Sequence, residues 1–211
     1  MPDTRTFAIN PARSALVVVD MQNDFVRAGA PLEVPDARAT IAPIRATIDL
    51  FRRLRRPVVF TRFLAGPKET LLWTWSPELR EPVNCCRAGF LRRYADADRE
   101  RDCVAVIDEL PVMPGDYVVD KYGYGAFFRT SLEGILHAEH VDTIVVCGTV
   151  TQICVEETTR EAFHLGLKVV MLSDSVSSFD PQMHAATLKN HAHKFGRVMD
   201  SRGLAQELGK A

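Results

Sequence analysis

Short apolar runs alternate with amphipathic stretches along this chain, and this alternation restricts the possible folds strongly. Residues 15–19 are continuously apolar, as expected of a parallel strand that is buried on both faces. Residues 37–55 instead carry apolar side chains at helical spacing, and Pro57 ends that stretch. The alternation predicts an α/β protein, a three-layer αβα fold with a mainly parallel, doubly wound sheet of about six strands.

The remaining segments continue the pattern to the end of the chain. Strands are predicted at residues 57–63, 116–120, 143–147, 168–172 and 197–199, and helices at residues 131–139, 151–165 and 181–193 with a final helix after them. Ser131 is expected to cap one helix and Gly166 to end another, and a loop is expected at residues 173–179.

All 211 residues are expected to form one domain, because a chain of this length can bury a substantial core. Periodicity fails at about residues 64–103, which contain both tryptophans and three prolines. A non-periodic segment of this length inside a compact domain is usually functional. We interpret it as an irregular arm or lid.

Composition excludes several classes of function. The formal net charge is −1 and 46% of residues are hydrophobic, so no general attraction for nucleic acid or anionic membranes is expected. No apolar run approaches the roughly 20 residues of a membrane span, and the first residues do not resemble a signal peptide, which predicts a cytoplasmic protein. Five irregularly spaced cysteines indicate neither a disulfide framework nor a structural zinc site.

Three chemically useful side chains follow or end predicted strands. Asp20 follows the first strand, Lys121 ends a later one, and Cys154 lies just beyond the strand that ends near Gly148. The carboxyl ends of parallel strands share one sheet edge, where ligands bind. Taken singly, these residues also fit a solvated aspartate, a surface lysine and a core cysteine.

Together, the three residues suit nucleophilic catalysis. Cys154 is predicted at the start of a helix, where the helix dipole is expected to lower the pKa of its thiol. Asp20 can take the thiol proton and return it to a leaving amine, and Lys121 can stabilise both anions.

The sequence resembles the isochorismatase-like cysteine hydrolases, which include nicotinamidases, N-carbamoylsarcosine amidase, ureidoacrylate amidase and biuret hydrolase. The resemblance covers nearly the whole chain. It is strongest in the runs VVDMQNDF at residues 18–25, KYGYGAFFRT at residues 121–130 and GTVTQICV at residues 148–155.

The resemblance implies a catalytic triad of Asp20, Lys121 and Cys154. It also implies a cis peptide between Thr149 and Val150, and an oxyanion hole formed by the backbone N–H groups of Val150 and Cys154. The implied reaction is attack of the Cys154 thiolate on a small amide or carbamoyl compound, giving a thioester that water hydrolyses. A homo-oligomer, either a dimer or a tetramer, is a further implication.

The chain departs from the nicotinamidase pattern, which has an Asp-x-His metal motif after the second strand. Here residues 61–66 read TRFLAG, and no histidine precedes His137. We therefore predict no catalytic metal and no cofactor, and favour the metal-free amidases and carbamoyl hydrolases.

The substrate pocket is less well specified. Its candidate contacts, chosen for their place near the motifs or in the irregular segment, are Gln22, Phe25, Trp73, Tyr124 and Phe128. Arg62, Arg87 and Arg92 are candidates to bind a substrate carboxylate, and residues 173–179 are candidates for polar contacts.

Three other functions compete with an amidohydrolase. Isochorismatases cleave a vinyl ether without needing the cysteine nucleophile, so the presence of Cys154 favours C–N hydrolysis. A non-catalytic scaffold that associates through the irregular arm would tolerate loss of the triad. A nucleotide-binding protein would need a G-x-G-x-x-G turn after the first strand, where this chain has Asp20 followed by Met and Gln.

Overall fold

A six-stranded parallel sheet forms the centre of the computed structural model, which describes residues 7–209. The strands are β1 (Ser14–Val19), β2 (Val58–Phe63), β3 (Leu91–Arg92), β4 (Arg101–Asp102), β5 (Tyr117–Lys121), β6 (Thr143–Thr149), β7 (Lys168–Ser177) and β8 (Arg197–Met199). Strands β3 and β4 form a separate antiparallel pair. The other six lie in the order β5–β2–β1–β6–β7–β8, and every neighbouring pair is parallel. The predicted sheet is confirmed.

Helices flank the sheet and connect its strands. They are α1 (Asn23–Val26), α2 (Ile41–Arg53), α3 (Leu72–Trp75), α4 (Leu132–Ala138), α5 (Glu156–His164), α6 (Pro181–Lys194) and α7 (Ser201–Leu208). Short 3₁₀ turns occupy Pro11–Arg13, Pro35–Thr40 and Pro77–Leu79, and a π-helical turn at Thr151–Val155 leads into α5.

Two local expectations are wrong. Strand β7 continues to Ser177 through most of the expected loop, because its end pairs with Gly148 and Thr149 of β6 after a shift in register. The Ser131 side chain makes no capping hydrogen bond within the described residues. The Thr130 hydroxyl instead accepts a hydrogen bond of 3.2 Å from the Leu132 N–H.

The two faces of the sheet bury separate hydrophobic cores. Alternate side chains of β1 point to opposite faces. Leu16 packs in a cluster with Phe51 of α2, whereas Val17 packs in a cluster with Leu136 of α4 and Ala162 of α5. This arrangement is the three-layer αβα fold. No helix within residues 7–209 has both the length and the apolarity needed to cross a membrane.

The irregular segment is packed onto the domain. Trp73, Leu79 and Cys103 belong to the same core cluster as Leu16 of β1. Asp24 of α1 is fully buried and accepts hydrogen bonds from the Cys86 N–H at 2.8 Å, the Arg92 Nε at 3.0 Å and the Tyr94 hydroxyl at 2.7 Å. These bonds fix the segment to the chain that follows β1.

Candidate active site

Asp20, Lys121 and Cys154 converge at the carboxyl edge of the sheet. Asp20 follows β1, Lys121 is the last residue of β5, and Cys154 lies in the π-helical turn after β6. The Lys121 Nζ is 2.7 Å from Asp20 Oδ2, and neither side chain is exposed to solvent. The sheet topology therefore brings together the three residues that the sequence singles out.

Thr61 of β2 fixes the Asp20 carboxylate. Its hydroxyl donates a hydrogen bond of 2.6 Å to Asp20 Oδ1 and accepts one of 3.2 Å from the Asp20 N–H. Asp20 has a φ of 50°, in the left-handed region that few non-glycine residues adopt. Sequence reasoning did not identify Thr61. A threonine directly after the apolar start of β2 was the available signal.

Three oxygen atoms surround the Lys121 ammonium. It donates hydrogen bonds to the carbonyl oxygens of Gly123 at 3.1 Å and Tyr124 at 2.9 Å, besides its ion pair with Asp20. Within the described residues, Asp20 Oδ2 has no partner with good hydrogen-bond geometry. We therefore treat its contact with Lys121 as an ion pair that leaves Oδ2 open to the thiol. Burial alone would lower the pKa of Lys121. Asp20 and Cys154 together raise this pKa by more than burial lowers it, so the net shift is upward.

The Cys154 thiol is held in its neutral form. Burial is the main cause that raises the pKa of Cys154 to about 12, and the Asp20 carboxylate adds to this effect. Lys121 lowers the pKa of the thiol but does not offset the other two causes. The net shift is therefore opposite to the lowering expected at a helix start. A base that takes its proton would be needed for this thiol to act as a nucleophile.

The turn before Cys154 depends on close backbone approach. Gly148 has a φ of 111°, and a Cβ atom there would lie 2.0 Å from the Val19 carbonyl oxygen. The peptide bond between Thr149 and Val150, which follow Gly148, is cis. Among residues 7–209, neither the Val150 N–H nor the Cys154 N–H donates to a group outside the turn.

A cavity of about 270 Å³ opens beside Cys154. Its lining residues are Phe25, Pro31, Leu32, Glu33, Val34, Phe63, Ser76, Tyr124, Val150, Ile153, Cys154 and Phe179. Phe25 and Tyr124, two of the predicted substrate contacts, lie here and both pack near the Phe63 ring. Cys154 is the one cysteine of the five in this lining.

Three predicted substrate contacts lie outside this cavity lining. The Gln22 amide oxygen accepts a hydrogen bond of 2.6 Å from the Phe63 N–H, and its amide nitrogen donates one of 3.0 Å to the Phe63 carbonyl oxygen. Both polar atoms of the side chain are thus bound to the backbone of β2. Trp73 packs in the core, and Phe128 is 58% exposed under the Arg129 guanidinium. The loop at residues 31–34 and Ile153 were missed. Phe179 belongs to the expected polar segment 173–179 but contributes an apolar ring to the lining.

The candidate arginines also lie elsewhere. Arg62 makes a two-pronged ion pair with Asp120 at 2.7 and 2.8 Å. Arg92 pairs with Asp24, and Arg87 lies 3.7 Å from Glu81. Periodicity cannot show which acidic partner an arginine will meet.

A cluster of possible metal ligands lies beneath the irregular segment, apart from the cavity. Asp24, Cys85 and Cys86 place their ligand atoms within 4.8 Å of one another. Both Asp24 oxygens, however, already accept hydrogen bonds, and burial raises the pKa of Cys86. The absence of a catalytic metal remains a prediction.

Comparison with known proteins identifies the family. A model of the isochorismatase domain matches residues 14–203. The chain belongs to the isochorismatase family. It is 32% identical to the ureidoacrylate amidohydrolase RutB of Agrobacterium fabrum, over 90% of this chain and 87% of the relative.

Other family members are similar along almost their full length. Nicotinamidase 3 of Arabidopsis thaliana is 30% identical, over 98% of this chain and 94% of the relative. A crystal structure of a cysteine hydrolase from Pseudomonas syringae pv. phaseolicola superposes with a TM-score of 0.87 at 27% identity, over 100% of this chain and 99% of that one. The chain is thus an isochorismatase-family hydrolase with amidase relatives.

Proposed function

We propose that this hydrolase is a cysteine-dependent amidohydrolase that cleaves a C–N bond of a small amide or carbamoyl compound. The proposal rests on one observation: a buried Asp20–Lys121 ion pair lies beside the Cys154 thiol in the cavity wall. The amidohydrolase names of the relatives support C–N hydrolysis.

In the first half of the proposed reaction, Asp20 acts as the general base. Its Oδ2 takes the proton from Cys154 as Sγ forms a bond to the substrate carbonyl carbon. The Val150 and Cys154 N–H groups are placed to stabilise the resulting oxyanion, and each such donor is worth about 3–4 kcal/mol in a transition state. The carbonyl reforms as the C–N bond breaks, and Asp20 returns the proton to the departing nitrogen.

In the second half, water hydrolyses the thioester. Asp20 takes a proton from the water as its oxygen attacks the thioester carbon, and the C–S bond then breaks to release the carboxylic or carbamic acid. The proton on Asp20 returns to the Cys154 sulfur. Lys121 keeps its charge throughout and stabilises whichever of its two partners is the anion.

Two other functions remain alternatives. Vinyl ether hydrolysis, as in isochorismatases, would not require Cys154, and a non-catalytic scaffold would not require the ion pair. Metal-assisted hydrolysis of nicotinamide is less favoured. All six histidines lie within residues 7–209, and none of them lines the cavity. Location in the cytoplasm and assembly into a homo-oligomer remain expectations.

An ammonia-release screen over small amides, ureas and carbamoyl acids tests the proposal. Cys154→Ala should lower kcat by at least about 1,000-fold, because it removes the nucleophile. Cys147→Ala is the matched control, since Cys147 is a buried strand cysteine outside the cavity lining. Equal release by wild type and Cys154→Ala would exclude the thioester mechanism.

A further inference from the structure

The cavity beside Cys154 has walls without a cationic side chain. Its described lining includes no lysine, arginine or histidine, and Glu33 is its one acidic residue. Glu33 Oε1 is 2.7 Å from Arg38 Nη2, and Oε2 accepts a hydrogen bond of 2.8 Å from the Gly29 N–H. The Gly29 N–H and the Arg38 guanidinium lower the pKa of Glu33, so its carboxylate is ionised at neutral pH.

Cations close in sequence to the lining residues are bound to acids. Arg27 pairs with Glu109, Arg38 pairs with Glu33, and Arg62 pairs with Asp120. Lys121 lies behind the cavity wall, fully buried and paired with Asp20. A substrate carboxylate in this cavity would therefore lose its hydration without gaining a free cationic partner.

We infer that the part of the substrate that does not react is apolar and carries no negative charge. This inference rests on the proposed amidohydrolase function. Phe25, Phe63 and Ile153 offer apolar surface to such a group, and burial of apolar surface favours binding. A volume of about 270 Å³ limits the substrate to a small molecule, because pockets for drug-sized ligands start at roughly 300 Å³. Ureidoacrylate, the substrate named for one relative, is an acid, so this chain would differ from that enzyme.

A matched pair of substrates tests the inference on the wild-type protein. One is the monoamide of glutaric acid, and the other is its neutral analogue in which isopropyl replaces the carboxylate. The two differ far from the reacting carbonyl, so its intrinsic reactivity is nearly the same. We expect kcat/KM for the neutral amide to be at least about 30-fold higher, because a buried carboxylate without a partner is unfavourable. The matching pair of monosubstituted ureas applies the same comparison to carbamoyl substrates.

A charge introduced at the cavity wall provides a second test. Ser76 lines the cavity and is half-buried, whereas Thr74 of the same segment is exposed and lies outside the lining. Ser76→Arg should raise kcat/KM for the glutaric monoamide at least about 10-fold and reduce the preference for the neutral analogue, since an arginine can pair with a carboxylate. Thr74→Arg adds the same charge and should leave both values unchanged.

The outcomes separate this inference from the proposed function. Hydrolysis of the acidic amide or urea as fast as its neutral analogue would overturn the inference and leave the amidohydrolase proposal intact. Equal effects of Ser76→Arg and Thr74→Arg would also count against it, because they would show a general charge effect. No hydrolysis of any amide or urea would overturn the proposed function itself.

Discussion

Asp20 and Lys121 form a fully buried ion pair at the centre of the site. Removing two charges from water costs several kcal/mol per ion, and their attraction often does no more than offset that cost. A pair of apolar residues would serve stability as well. The proposed general-base role of Asp20 gives the pair a function that two apolar residues could not supply.

Substitution of each charge should move the pKa of the Cys154 thiol in opposite directions. Asp20→Asn removes a charge that raises this pKa, so alkylation by iodoacetamide at pH 8 should become faster while amide turnover is lost. Lys121→Met removes the charge that lowers the pKa, so alkylation should become slower. The pH dependence of the alkylation rate measures both shifts.

Stability must be measured in parallel, because leaving one buried charge unpaired costs about 3–5 kcal/mol. Thermal unfolding of each variant shows whether it is folded at the assay temperature. Slower alkylation in a folded Asp20→Asn variant would contradict the assigned influence of the carboxylate.

The sequence located Asp20, Lys121 and Cys154 because strand ends are visible as breaks in apolar runs. It predicted a lowered pKa for the thiol, whereas burial, a property of the folded site, raises it. Gln22 was misplaced for a related reason. Its amide is hydrogen-bonded to the backbone of Phe63. Phe63 is distant from Gln22 in sequence and lies beside it only once β1 and β2 have paired.

At the scale of elements, the connection from β6 to α5 is constrained by close backbone packing against β1. Gly148 is positioned against β1, and the π-helical turn presents Cys154 directly afterwards. The sequence predicted a strand that ends near Gly148 and a helix that follows it. It did not predict that β7 extends beside this turn, because the polar residues after Leu172 look like a loop until their pairing with β6 is known.

Alanine substitutions at two glycines should distinguish the close packing at Gly148 from the general effect of a glycine-to-alanine change on stability. Gly148→Ala should destabilise the fold by more than about 4 kcal/mol, because its Cβ would overlap the Val19 backbone at a positive φ. Gly134→Ala in α4 meets open space and should stabilise the protein by about 0.5–1 kcal/mol. Urea unfolding of both variants measures the difference. A stable Gly148→Ala protein would contradict the observed backbone approach.

For the whole molecule, stability should depend on pH through His191. Burial lowers the pKa of His191 to about 4 from its ordinary 6.5, and its Nε2 has no partner within the described residues. Protonation therefore favours the unfolded chain. The stabilising contribution is complete above pH 6.5 and is lost as the pH falls towards 4, by up to about 3 kcal/mol.

His191→Phe keeps a planar ring beside Phe195 and should remove this part of the acid sensitivity. The exposed His193→Phe substitution is the control. Unfolding free energies at pH 7 and pH 4.5 measure the effect. An equal loss of stability in wild type and His191→Phe would contradict the role of His191.

The assembly is also a property of the whole molecule. Leu71 is 85% exposed and Trp75 is 81% exposed, four residues apart in the irregular segment, and Trp75 directly precedes Ser76 of the cavity lining. Large exposed apolar side chains that lie together often mark an interface. We expect a homo-oligomer, a dimer or tetramer, that Trp75→Glu weakens, as measured by sedimentation velocity. A monomeric wild type at micromolar concentration would contradict this expectation.

The buried ion pair has a consequence for the effect of salt. Before attack the site contains a carboxylate, an ammonium and a neutral thiol, and after the proposed proton transfer it contains a carboxylic acid, an ammonium and a thiolate. The total charge is the same in both states, and all three groups lie beneath the surface, where dissolved ions screen weakly. With an uncharged substrate, the turnover rate should therefore be nearly the same in dilute buffer and in concentrated sodium chloride.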